Sequence, residues 1–298
     1  MVAILAAGCV DDPAGPGAPD GDGFDPVRTS LEFAALRAEL YANHDVAVDL
    51  AYVRPVLDTP LLPEVLGTTF EWDESADAYV TTERAGAPPD GVRFILYDRT
   101  AAPLAEVGFV DVTGEGDGPV DPVGVHLEKR GITRLDYDLG LGEPGSGNGS
   151  VAGFLTDGTE RVDFDVLQVV STTSGGFRID LDHSMALESR PLTVRLDYSL
   201  NFGLFGSDDR LTATFVDGDD ILVIDFTGDP SNGIDGDVKW NGDVVMTVTG
   251  VGQPVFRDPQ GEDLTAPEAQ AIRSMFELAA NGVEFLLPYL ILLDDEVG

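Results

Sequence analysis

From Thr68 to Thr249 apolar and polar residues alternate with a period of two, in runs broken by turn residues about every eight to twelve positions. That spacing predicts an antiparallel all-β domain, because a strand points successive side chains to opposite faces. Val162, Phe164 and Val166 alternate with Asp163 and Asp165, and Ile179 and Leu181 with Asp180 and Asp182. Val194, Leu196, Tyr198, Leu200 and Phe202 alternate with Arg195, Asp197, Ser199 and Asn201. One face of the sheet is therefore dry and the other acidic. Asp157-Gly158, Gly175-Gly176, Asp217-Gly218 and Asn241-Gly242 supply the positive φ that tight hairpins require. Such short connections make sequence neighbours sheet neighbours, so the pattern predicts a meander of about a dozen strands. A sheet that long must curl or close, since twisted open sheets rarely exceed ~10 strands. The expected fold is mainly β, a curved sheet, barrel or half-barrel packed with an N-terminal and a C-terminal helix.

Outside the alternating region the period lengthens. Thr29 and Glu32 have capping-box spacing, with Phe33, Leu36 and Leu40 on one helical face. Pro55, Pro60 and Pro63 argue against a long element between 45 and 66, and the alternation over Val46 to Val53 predicts an edge strand. A second capping box at Thr265 to Glu268, with Pro267 in the first turn, opens a helix carrying an Ile272, Met275, Phe276 and Ala279 stripe. Beyond Asn281-Gly282, residues 283–293 are apolar on nearly every side, yet reach only about half the ~20 residues that cross a bilayer. A helix apolar all round is buried in protein, so the segment 265–293 is expected to cover the dry face of the sheet.

Cys9 is the sole cysteine and follows the apolar stretch Val2 to Gly8. Leu5-Ala6-Ala7-Gly8-Cys9 resembles a bacterial lipobox, in which the signal is cut before a cysteine that then carries lipid. Its leucine stands one place early and no basic leader precedes it, so the start is expected to lie further upstream. The resemblance implies that residues 1–8 are the remnant of a signal peptide, that Cys9 is the lipidation site and that the membrane is a partner. Val10 after the cysteine would, by the enteric rule, send the protein to the outer membrane. Residues 9–28, rich in Asp, Gly and Pro, read as a flexible tether, leaving 29–298 as a single domain.

The charge changes the picture of partners. Asp and Glu number 54 against 17 Lys and Arg, a formal charge of −37, and such a surface repels the phosphates of nucleic acid. An apolar share of 43% is too high for an acidic disordered chain.

Candidate chemistry is sparse. His44, His126 and His183 fall in separate segments without zinc spacing. Gly140 to Gly145 matches G-x-G-x-x-G, but Pro144 precludes the helix whose N-terminus would hold a phosphate. Asp163 and Asp165 are expected to face Asp180 and Asp182 across a hairpin, where like charges would raise a pKa, on an outer face that is the wrong place for a catalytic cleft. Asp217, Asp219, Asp235 and Asp237, with Asp220 and Asp229, are oxygen ligands of the kind calcium prefers, although none follows EF-hand spacing. No cofactor and no enzymatic activity are expected.

In outline the predicted meander around helices resembles the periplasmic lipoprotein carriers and lipid-binding lipoproteins, which hold acyl chains between sheet and helix. The segments FEWD, GVRFILYD and DVKWNGDV resemble pieces of uncharacterised bacterial lipoproteins. Two roles follow. One is a structural or interaction protein of the envelope with a solid core, meeting an envelope protein partner. The other is a carrier whose apolar ligand touches Phe276, Val283, Leu286, Leu287, Leu290 and Ile291.

Overall fold

The computed structural model describes residues 23–57, 63–115, 121–142, 146–173, 176–203, 206–229, 233–251 and 254–290. Cys9, the signal remnant, most of the tether, Gly175 and Ile291 lie outside them.

Two helices open the domain, α1 (Pro26–Ala42) and α2 (His44–Leu57). The first begins three residues before the predicted Thr29 cap. The Asp25 carboxylate accepts from the Val27 and Arg28 amides at 2.9 and 3.1 Å, and Pro26 needs no amide partner in the first turn. Thr29 is instead buried, in line with Phe33, Leu36 and Leu40, and residues 26–28 belong to the helix rather than the tether. The second helix replaces the predicted edge strand. Val46, Val48, Leu50 and Tyr52 fit a period of two, but Val46, Leu50 and Val53 also fit 3.6, and those three are the buried ones. Pro55 lies inside the last turn and removes the ladder bond to the Ala51 carbonyl there.

Fifteen strands follow in one sheet: β1 (Thr68–Asp73), β2 (Ala78–Thr82), β3 (Gly91–Asp98), β4 (Ala105–Glu115), β5 (Asp121–Lys129), β6 (Ile132–Leu141), β7 (Gly149–Thr156), β8 (Arg161–Thr173), β9 (Gly176–Leu187), β10 (Leu192–Gly203), β11 (Gly206–Asp217), β12 (Asp220–Asp229), β13 (Gly233–Trp240), β14 (Asp243–Gly250) and β15 (Val255–Arg257). From β3 to β15 each strand pairs antiparallel with its sequence neighbour. The hairpin between β13 and β14 turns on Asn241 (φ 50°) and Gly242 (φ 94°), the two left-handed positions a two-residue loop needs. The strict meander fails at one place, where β1 lies between β2 and β3 and runs parallel to β3. Residues 83–90, with Pro88 and Pro89, carry the chain across it.

The sheet is open, with β15 and β2 at its edges, so the closed-barrel alternative is excluded. It curls instead. Phe24, just before α1, packs on Trp240 of β13, and Asn43, just after α1, bonds Arg134 of β6. Seven inter-strand steps cover about 34 Å, whereas the 17 helical residues of α1 cover about 26 Å.

The C-terminal segment is not one helix. It forms α3 (Ala266–Ala280), α4 (Gly282–Leu286) and a 3-10 turn, Leu287–Tyr289. Asn281 ends α3, its amide bonding the Glu277 carbonyl, and Pro288 prevents α4 from extending. Thr265 caps α3 as expected, its amide and hydroxyl both donating to Glu268. Helix α3 packs alongside α1, the 3-10 turn rests on α2, and one continuous core joins these helices to the inner face of the strands.

Candidate functional site

Inner-face residues come from alternate positions of each strand, so cross-strand register decides which side chains form rows. Val166, His183, Leu196, Ala213, Ile224, Val238 and Met246 make one buried row across β8 to β14. The helices lie against this row and the rows nearer the β7–β8 turn. Leu286 and Leu290 are 0% exposed within the shared core. Phe276 packs on Phe226 and Phe256, with ring centroids 5.7 and 6.4 Å apart, and Val283 is half-buried against the same core. Leu287 starts the 3-10 turn and is half-buried, while the Tyr289 hydroxyl donates to the Leu40 carbonyl and ties that turn to α1. Of the residues expected to touch an apolar ligand, Phe276, Val283, Leu286 and Leu290 pack in the shared core, and Ile291 lies outside the described residues.

The inner face continues past the helices at the far ends of β9 and β10. Leu181 and Tyr198 still touch the core, Ile179 and Leu200 are partly exposed, and Phe177 stacks on Phe202 at 4.5 Å with about 40% of each in solvent. Strands of twelve residues outrun the helical layer, and their apolar alternation persists to the tip.

The outer face carries the carboxylates. Asp182 stands opposite Asp197, and Asp225 opposite Asp237. Like charges placed directly across a ladder are unfavourable. Burial, then the Asp197 charge, push the Asp182 carboxyl above its ordinary value, and Arg195 bonds both members of that pair. The predicted facing of Asp163 and Asp165 with Asp180 and Asp182 does not occur. In the observed register Asp163 meets Ala186, Asp165 meets Ser184, Asp180 meets Val169 and Asp182 meets Leu167. The long β8–β9 hairpin offsets the two acidic runs along the strands. A shallow cup of about 500 Å³ opens among Leu167, Val169, Arg178, Asp180, Asp182 and Asp197.

The calcium candidates are not brought together. Asp217 and Asp219 sit at the β11–β12 turn, whereas Asp235 pairs with Thr227 towards the other end of β12 and Asp237 lies between. Among the described residues no group of three or more His, Cys, Asp or Glu side chains is placed to hold a metal ion.

The histidines have three different settings. His44 is exposed at the start of α2, His126 on β5 is 2.8 Å from the Asp136 carboxylate, and His183 is buried in the core. Alternation in the sequence already put His183 in line with Ile179 and Leu181, the signal that it faces inward.

One charged cluster escaped sequence reading because it joins residues some 80 to 90 positions apart. Lys129, at the end of β5, contacts Asp45 at 3.0 Å and Asp49 at 2.5 Å on α2, and Arg134 contacts Asp45 at 3.1 Å and Asn43 at 3.0 Å. Burial raises the Asp45 carboxyl, but Lys129 and Arg134 outweigh it and leave Asp45 below its ordinary value. Deeper burial wins at Asp49, which stays above. The cluster docks α2 on β5 and β6.

With fold and sites in view, comparison with protein-family models, curated proteins and solved structures gives no match at any of the three levels. The class defined by the geometry is an open, helix-lined antiparallel meander with an acidic outer face.

Proposed function

We propose that the chain is a non-enzymatic, lipid-anchored protein of the cell envelope whose role is structural or interactive. The observation that supports this most directly is the seating of α3, α4 and the 3-10 turn, where Leu286 and Leu290 are wholly buried against strands and helices. A scaffold solid at its centre offers its surfaces, here an acidic outer face, to partners. The anchor is Cys9, on the lipobox-like sequence before it. A multiply acylated cysteine holds a protein at a bilayer by about 0.8 kcal/mol per buried CH₂, with no need of a basic patch.

The experiment is metabolic labelling with an alkynyl fatty acid in a bacterial host, followed by membrane fractionation. The full-length protein is expected to take the label and sediment with membranes, and Cys9→Ala to lose both. An unlabelled, soluble wild-type protein overturns the anchor.

The second reading, a carrier for an apolar ligand, is favoured by the Phe177–Phe202 stack and the partly exposed Ile179 and Leu200 beyond the helices. Mass spectrometry of organic extracts from purified protein separates the two. The structural role expects no lipid at a fixed ratio; near one acyl chain or lipid per protein establishes the carrier.

A further inference from the structure

His183 is the one buried histidine among the described residues, 0% exposed on the inner face of β9 between Val166 and Leu196. Neither ring nitrogen has a hydrogen-bond partner. Gly282, the first residue of α4, lies directly on the ring, so that a Cβ added there would stand 2.0 Å from Nε2 and 2.8 Å from Cδ2. Glycine alone permits that approach, and the start of α4 is seated on an imidazole.

Such a seat tolerates the neutral ring and not the charged one, because an imidazolium has two donors and must find acceptors or water for both. The charged residues on the surrounding elements do not supply them. Asp165 on β8, Asp182 on β9, and Arg195 and Asp197 on β10 alternate onto the outer face. Glu284 on α4, Arg37 on α1, and Arg273 and Glu277 on α3 are exposed. Burial therefore dominates and pushes the His183 pKa down to about 4, with Asp197 opposing weakly from across the sheet.

We propose that His183 is a pH-sensitive latch, whose protonation lifts Gly282 and releases α4 with the Leu287–Tyr289 turn from the inner face of the sheet. The strand cannot yield instead, since β9 is bonded along its whole length to β8 and β10. The helix can, because α4 has five residues, joins α3 through Asn281 and is stopped by Pro288. Release uncovers Leu286, Leu290 and the apolar row beneath them.

The sign follows from the depressed pKa. The latch is fully closed above pH 6.5, the ordinary value, and weakens as pH falls towards 4. Between pH 7.5 and pH 5.0 the open form is favoured by roughly thirty-fold more, from those two pKa values.

Hydrogen exchange of the full chain at pH 7.5 and 5.0, corrected for intrinsic rates, tests this. Residues 282–290 are expected to lose about ten- to thirty-fold protection at pH 5.0 while β9 and β10 keep theirs. His183→Leu removes the pH dependence, and Gly282→Ala opens the segment already at pH 7.5. Equal protection at both pH values, or the same loss in His183→Leu, overturns the latch. If His183→Leu does not fold, an NMR titration of the wild type decides. A change in the Leu286 and Leu290 methyl signals that tracks the His183 ring supports the latch, and any other behaviour overturns it.

Discussion

Lys129 is one of two lysines in the chain and the one whose ammonium is nearly enclosed, with 13% of its side chain in solvent and 15% of Asp49's. Burial lowers its pKa, but the bonds to Asp49 and Asp45 outweigh that and hold it above the ordinary value. Removing one member of a buried pair strands the other. Lys129→Met should lower stability by about 2–4 kcal/mol in urea titration. Adding Asp49→Asn to that variant should recover part of the loss, since the stranded charge is gone; no recovery would mean that packing of the lysine stem dominates. Nothing at position 129 announces this role in the sequence, because its partners lie on another element. His183 is different, since its parity within a run of alternating residues places it inward, though not beneath Gly282.

At the scale of the element, caps and periods were legible where one signal dominated. Thr265 and Glu268 fixed the start of α3, and the Asn-Gly pair fixed the β13–β14 turn. Where two signals competed the weaker-looking one won. Asp25-Pro26 outcompetes Thr29 because it places an acceptor and a proline at the first turn while letting Thr29 join the buried stripe. Asp25→Ala should therefore cost about 1 kcal/mol, read as a lowered urea midpoint at unchanged slope, whereas a helix starting at Thr29 would be indifferent to that change. The segment 46–53 satisfied both periods, and tertiary contacts select the helix: Val46, Leu50 and Val53 enter the shared core, Tyr52 packs on Trp72 of β1, and Asp45 and Asp49 turn together towards Lys129. Residues 283–293 read as one apolar stretch because their hydrophobicity outweighed the one breaker among them; Pro288 was legible, and it ends α4 at Leu286.

Over the whole molecule the formal charge is −37, and the outer face of the sheet carries part of it as carboxylates on neighbouring strands. Facing pairs such as Asp225 and Asp237 bring carboxylates onto adjacent strands, so self-repulsion is borne by the ladder itself. Exposed charges are screened within ~10 Å at 0.1 M salt. The melting temperature should accordingly rise as NaCl increases from about 10 mM to 0.5 M, by several degrees on a differential scan. Calcium at matched ionic strength should add nothing beyond that screening; a larger shift with calcium would restore the Asp217, Asp219, Asp235 and Asp237 site. A melting temperature flat in NaCl would show that the outer carboxylates do not repel in the native state.

Local rules acting within a dozen residues determined the strands, their turns, the dry and acidic faces and the presence of helices at either end, because alternation, capping and left-handed glycines are properties of short segments. Contacts between distant segments decided the rest. Pairing geometry inserted β1 beside β3 and shifted the acidic runs of β8 and β9 past each other. Leu286, Tyr289 and Leu290 became buried core just beyond the point where Gly282 meets His183. Such outcomes depend on which surfaces meet in space, and a linear pattern carries the surfaces without carrying their meeting.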